Sequence, residues 1–254
     1  MQEKQIFNNK IALITGSSQG IGRAVAREFA LKGAKVVINY PDNTEEKNAF
    51  KLLYDINSFG GEAICICANV SKEKEVTKLI DQIINKYNAI DILVNNAGIA
   101  PGKQLEEYEE EDFDRIFNTN VKSVFLVTKK VLHHMYKNNY GKIINTASQH
   151  AFSGWPGLTL YTASKGAIIS FTRSLAREVG DKNINVNCVA PGGTYTNILK
   201  GVPEKLLEEV ILSIPKKKLA EVKDIVPSYI FLALDENSHF HGQCISPNGG
   251  DVML

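Results

Sequence analysis

The chain has 254 residues, 44% of them apolar and 22% charged, which are the proportions of a globular protein and exclude a disordered or fibrous one. Lys+Arg 29 against Asp+Glu 28 leaves a formal charge of +1, so binding driven mainly by phosphate neutralisation, and with it a nucleic-acid partner, is not expected. Four cysteines, at 65, 67, 188 and 244, make no zinc spacing.

Short apolar runs alternate with longer amphipathic ones. The first strand, 10–14, is a continuous apolar run, Ile11 to Ile14. A helix over 20–32 follows and ends at Gly33, where a left-handed residue belongs. A strand at 35–39 and a helix at 44–58 come next. A strand at 62–66 would place Cys65 and Cys67 on one buried face. Ser71 is predicted to cap a helix over 72–87, with Glu73 in its first turn. Asn69-Val70-Ser71 matches a glycosylation triplet by chance, since nothing else points to secretion.

A strand at 90–94 leads to a long helix, 112–138. It is apolar at Phe113, Ile116, Phe117, Val121, Val124, Leu126, Val127, Val131 and Met135, wider than one stripe. That breadth suits packing on a sheet and on another subunit; deep burial in one large domain is the alternative. Strands at 141–145, 184–189 and 243–246 and helices at 160–180, 203–213 and 222–234 complete the chain, with Pro203 in the first turn of its helix. Near-continuous apolar strands alternating with helices predict an α/β fold: a doubly wound (Rossmann) parallel sheet of about seven strands with helices on both faces. No linker or repeat divides the chain, so 1–254 is read as one domain. No apolar run approaches the ~18 residues of a membrane span. The opening MQEKQIFNNK lacks the apolar core of a signal peptide, and a cytoplasmic protein without a membrane partner is expected.

After the first strand comes Thr15-Gly16-Ser17-Ser18-Gln19-Gly20-Ile21-Gly22, opening a helix. Its glycines permit a sharp turn and close approach of a ligand, and the helix start offers N–H groups to a pyrophosphate. The same residues match Gly-x-Ser-x-Gly, a hydrolase nucleophile elbow on Ser18. Only 15 residues precede Gly16, so no earlier strand carries an oxyanion loop, which argues against that alternative.

Tyr161-Thr162-Ala163-Ser164-Lys165 lies in a helical stretch, where positions i and i+4 share a face. A neighbouring ammonium favours phenolate and is expected to lower the Tyr161 pKa, suiting it to exchange a proton with a carbonyl or alcohol oxygen. Ser148, after a strand, is placed to donate to the same oxygen. Taken alone, this pair would read as an ordinary helix tyrosine and a solvated lysine. It is not alone. The chain resembles the short-chain dehydrogenase/reductase family over essentially its whole length. The resemblance rests on Thr15 to Gly22, Asn95-Asn96-Ala97-Gly98, Asn120, Ser148, Tyr161 to Lys165, and Pro191-Gly192, in family order.

The resemblance implies that Tyr161 is the general acid/base, that Ser148 orients the reacting oxygen, and that Lys165 lowers the tyrosine pKa and holds the nicotinamide ribose. Asn120 would hold a relay water through its main chain. Gly16, Ser18, Gln19, Gly20, Ile21 and Gly22 would bind the cofactor phosphates. Tyr40, Asn69 and Val70 would line the adenosine side, and Asn96, Ala97 and Gly98, after the fourth strand, would bind the cofactor at the carboxyl edge of the sheet. Pro191, Gly192, Thr194 and Thr196 would grip the carboxamide. Gln149, His150 and Trp155 would border a neutral substrate pocket, and 198–214 would form a cap.

Asn69 stands where an aspartate is usual. Asn39-Tyr40-Pro41-Asp42 lacks both the acid that favours NAD and the arginine that favours NADP, so the choice between NAD and NADP stays open. His133-His134 and His239-x-His241 lack partner ligands, and no metal site is expected. Lys216-Lys217-Lys218 reads as a solvated loop. The expected activity is hydride transfer between NAD(P)(H) and a neutral ketone or secondary alcohol. The sequence looks most like 3-oxoacyl-carrier-protein reductases, whose substrate is an acyl thioester on an acidic carrier. Lys137 or Lys182 would serve such docking if either lay at the pocket mouth. A sugar or small-alcohol dehydrogenase is the alternative within the class, and a non-catalytic nucleotide-binding protein the alternative outside it. The family implies a homotetramer.

Overall fold

The computed structural model describes residues 5–196 and 203–253. Seven strands, β1 (Ile11–Ile14), β2 (Lys35–Tyr40), β3 (Glu62–Cys67), β4 (Ile92–Asn95), β5 (Gly141–Thr146), β6 (Ile184–Val189) and β7 (Cys244–Ile245), form one parallel sheet in the order 3-2-1-4-5-6-7. The helices are α1 (Gly20–Leu31), α2 (Glu46–Ser58), α3 (Glu73–Tyr87), α4 (Glu110–Phe117), α5 (Ser123–Asn138), the short α6 (His150–Ser153), α7 (Thr159–Glu178), α8 (Glu204–Ser213) and α9 (Val222–Ala233). This is the doubly wound sheet that the alternation predicts.

Side chains alternate along each strand, so one run serves two cores. Ala12 and Ile14 join Val25 and Phe29 of α1, Leu52 and Ile56 of α2, and Ile225 and Tyr229 of α9. Ile11 and Leu13 join Leu79 and Ile83 of α3, Val127 and Val131 of α5, and Leu175 of α7. Burial on both faces is what leaves β1 without a polar residue. Strand order reverses between β1 and β4, and ligands bind such sheets in the crevice beyond the strands' carboxyl ends at this point.

Four expectations change. The stretch 112–138 is two helices, α4 and α5, joined by a π-helical turn, Asn118–Lys122. Ser71 does not cap α3; Lys72 stands at that position, and Ser71 donates its N–H and hydroxyl to Asn69 Oδ1 at 3.0 and 2.7 Å. Cys67 is exposed and Cys65 only half-buried, because β3 is an edge strand. Lys137 and Lys182 lie where α5 and α7 hand over to β5 and β6, at the amino edge of the sheet, away from the crevice. Gly33 has φ +91°, in keeping with the expected helix stop. Of the cap segment, 198–202 falls outside the described residues, and α8 has no buried residue. Among the described residues, no helix is long and apolar enough to cross a membrane.

Candidate active site

A cleft of about 550 Å³ opens at the carboxyl ends of β1, β2, β4, β5 and β6, a volume suited to a small-molecule ligand. Its floor is the turn after β1. Gly16 and Gly20 have φ +61° and +58°, open to glycine without strain. A Cβ on Gly16 would come within 2.9 Å of Ala97 Cα, so that glycine lets the loop after β4 close onto the turn. Thr15 fastens the two: its hydroxyl accepts Asn96 N at 2.9 Å and Ala97 N at 3.1 Å. Asn96 Nδ2 donates back to Thr15 O and Gly16 O, both at 3.1 Å. Gln19 stands before α1 without capping it through its side chain, which leaves the helix start free to meet an anion.

Ser148 follows β5 and is buried; its Oγ accepts His150 N at 3.2 Å and hydrogen-bonds the Tyr161 phenol. Tyr161 and Lys165, one turn apart on α7, both face the cleft. Lys165 Nζ donates to Thr146 O at 2.8 Å and lies 5.8 Å from the Tyr161 ring centre. Burial pushes the ammonium down to about 8. Burial also holds the Tyr161 phenol above its ordinary value, with the Ser148 hydrogen bond pulling the other way. The expected lowering by Lys165 is therefore not found: desolvation of the phenolate outweighs the favourable contacts.

Asn120 sits in the π-helical turn, fully buried. Its Oδ1 accepts Ile99 N at 2.8 Å, and its Nδ2 donates to Ile99 O at 2.9 Å and Ser164 Oγ at 3.0 Å. It thereby pins the loop after β4 to α7 next to Lys165. Below it, Asn95 Nδ2 donates to Asn145 Oδ1 and Thr128 Oγ1, and Asn145 Nδ2 donates to Thr172 Oγ1. Two strands and two helices meet in this buried polar chain under the site.

Of the cofactor residues expected from sequence, Gly16, Ser18, Gln19, Gly20, Ile21, Asn69, Val70, Asn96, Ala97, Gly98, Tyr161, Lys165, Pro191, Gly192, Thr194 and Thr196 line the cleft. Gly22 and Tyr40 do not. Gly22 lies under the turn, where a Cβ would come within 2.4 Å of Asn96 Nδ2, and Tyr40 packs into the core beside α2. Of the substrate-pocket residues, His150 lines the cleft, and burial lowers its pKa. Trp155 stands behind it, ring centres 5.5 Å apart, and Gln149 turns away into the fold. Sequence reasoning did not single out Glu45, Arg115, Thr119 and Leu158, which also line the cleft. Arg115 and Thr119 are four apart, a spacing that already places them on one face of the helix expected over 112–138. Glu45 accepts Gln19 Nε2 at 3.3 Å, a contact between distant loops that no local pattern signals.

The residues present fit a dinucleotide. The start of α1, the loop after β4 and the side chains of Ser148, Tyr161 and Lys165 line one continuous cleft, which gives an elongated ligand a place from the helix start to the Tyr161 end, and Gly16 and Gly98 let its walls close up against Ala97, Asn120 and Lys165. Residues 10–207 match the family model for short chain dehydrogenase. The chain is 36% identical over 245 residues to a 3-oxoacyl-[acyl-carrier-protein] reductase of Staphylococcus epidermidis, covering 96% of this chain and 100% of that one. It is 38% identical over 262 residues to NADPH-dependent aldehyde reductase 1, chloroplastic, of Arabidopsis thaliana, covering 99% and 89%. The crystal structure of 3-ketoacyl-(acyl-carrier-protein) reductase from Brucella melitensis complexed with NADH superposes with a TM-score of 0.89 at 33% identity, covering 97% and 100%.

Proposed function

This chain belongs to the short chain dehydrogenase family, an oxidoreductase working with NAD or NADP on a keto or CH–OH group, and we propose that it reduces a 3-oxoacyl thioester with Ser148, Tyr161 and Lys165 as its catalytic residues. The observation that carries this reading is the opening of those three side chains onto the same cleft as the glycine turn. When bound, the nicotinamide gives or takes the hydride.

The protein's part is proton management. The Tyr161 phenol, whose ordinary value of 10.0 burial raises, carries its proton at neutral pH and can donate it to a carbonyl oxygen. Ser148 Oγ, fixed at the end of β5, orients that oxygen. Lys165, anchored on Thr146 O, places a cation beside the phenolate left behind. Asn120 keeps the loop after β4 and α7 in register, and we assign it the relay behind Lys165. The residues lining the cleft would hold the cofactor, with the glycine turn under its phosphates and Pro191, Gly192, Thr194 and Thr196 at its nicotinamide. Support for an acyl-thioester substrate comes from the reductases the chain resembles and from Arg115, a cation that lines the cleft and suits an acidic carrier. We read 1–254 as one domain, cytoplasmic and homotetrameric.

The test follows oxidation of NADH and NADPH with 3-oxoacyl thioesters, sugars and simple ketones. We expect thioester turnover, reduced at least ~10²-fold in Tyr161→Phe. Cofactor binding without turnover on any carbonyl would favour a nucleotide-binding protein instead. Ester cleavage abolished by Ser18→Ala would favour a hydrolase.

A further inference from the structure

We propose that Asp251 is a positioning residue for the nicotinamide end of the cleft, acting through Gln149; the proposal rests on the reading that this cleft binds a nicotinamide dinucleotide. The pairing of β6 with β7 runs on past the strands. Cys188 N donates to Gln243 O at 2.9 Å, Ala190 N to Ile245 O at 2.8 Å, and Gly192 N to Pro247 O at 3.1 Å. The Pro191–Gly192 loop is thus laid along the C-terminal tail, every second amide bonded to it. Ser246 Oγ adds a bond to Ala190 O at 2.8 Å. Asn248 folds the tail back on itself, donating to Ser246 Oγ and Val252 O and accepting Gly250 N.

Gln149 closes the ring from the other side. It directly follows Ser148, and its N donates to Pro191 O at 3.0 Å. Its side chain is buried, 2% exposed, and Nε2 donates to Asp251 Oδ2 at 2.6 Å. A short bond to a carboxylate is among the stronger neutral-to-charged contacts a protein makes. Among the described residues, Gln149 Oε1 has no hydrogen-bond partner, and it lies 2.9 Å from where a Cβ on Gly192 would stand. Asn248 Cα lies 2.6 Å from that same point. Gly192 is therefore held between Gln149 and the tail, and the carboxylate of Asp251 holds Gln149 there. A buried oxygen left unpaired calls for an explanation, and here the other end of its amide is committed to Asp251. Pro191 and Gly192 line the cleft, whereas Gln149 and Asp251 do not, so the pair acts only through the residues it places.

Calorimetry with NADH, NADPH and ADP-ribose tests this, because ADP-ribose lacks the nicotinamide. In Asp251→Ala and in Gln149→Leu we expect the better-bound dinucleotide to weaken about tenfold, with ADP-ribose within about twofold of the parent. Retained ADP-ribose binding also shows that each variant folds. The double variant should be no weaker than either single one, as for two members of one link, and Asp251→Asn, which keeps an acceptor oxygen, should recover most of the loss. Dinucleotide affinity unchanged in both single variants overturns the proposal, as does loss of ADP-ribose in step with the dinucleotide. A parent protein that binds ADP-ribose but neither dinucleotide would remove the cofactor reading, and this proposal with it.

Discussion

Lys165 is buried with its ammonium on Thr146 O, and burial brings it from an ordinary 10.5 to about 8. Such a group costs stability in the folded state. At ~1.4 kcal/mol per pKa unit the cost is about 3 kcal/mol. It is fully present below pH 8, where folded and unfolded chains both carry the proton. It fades between pH 8 and 10.5, where the unfolded chain binds more protons than the folded one, so stability rises with pH across that window. Lys165→Met should therefore abolish turnover and yet raise the stability of the ligand-free protein at pH 7 by about 2 kcal/mol, after about 1 kcal/mol for the lost hydrogen bond. Denaturant melts at pH 7 and pH 10 check this, and the gap between variant and parent should shrink at the higher pH. A variant less stable than the parent at pH 7 would mean that the lysine is not paying this desolvation cost. The sequence shows the pairing of Tyr161 with Lys165 because helical spacing alone puts them on one face. It does not show the sign of the tyrosine shift, which depends on how much water the finished cleft excludes.

The strands were legible because burial on both faces leaves runs such as Ile11–Ile14 with no polar residue to mislead. The break between α4 and α5 was not, since Asn118–Lys122 holds no glycine or proline to mark it and Val121 keeps the spacing of the flanking apolar residues, while the side-chain bonds Asn120 makes there lie to residues far along the chain. Gln149 escaped for a similar reason: its partner is 102 residues away in the tail. The glycine turn lies between these cases. Its pattern announces a ligand-binding bend, but which glycine is indispensable depends on the approach of Ala97. Gly16→Ala must adopt φ +61°, which costs an ordinary residue ~1–2 kcal/mol. It must also push Ala97 Cα from 2.9 Å, which parts the loop after β4 from the turn. We expect a lowered melting temperature and at least about tenfold weaker dinucleotide binding by calorimetry. Parental affinity in this variant would show that the two loops need not touch.

The outer surface of the α4–α5–α7 side turns two phenylalanine rings to water among its charged residues. Phe113 is 45% exposed and stacks on Phe117, and Phe125 is 47% exposed. Beside them α7 turns out Ala163, Ser170 and Ser174, small residues that allow a second helix to come close. The inner faces of the same helices carry Lys165 and the buried bonds of Asn120. A subunit packed on the outer face would therefore stiffen the site from behind. Burying a phenylalanine contributes ~1.5–3 kcal/mol, and in a symmetric interface each substitution acts twice. Phe125→Asp places two carboxylates where two rings would pack. The homotetramer we propose, if built from two kinds of two-fold interface, should then fall to dimers in sedimentation velocity, while far-ultraviolet circular dichroism stays parental because the ring is outside the core. The melting temperature of the parent should rise with protein concentration more steeply than that of the variant, since only assembly at this face has been removed. A parent that sediments as a monomer, or a variant that stays tetrameric, would mean that this face is not where subunits meet.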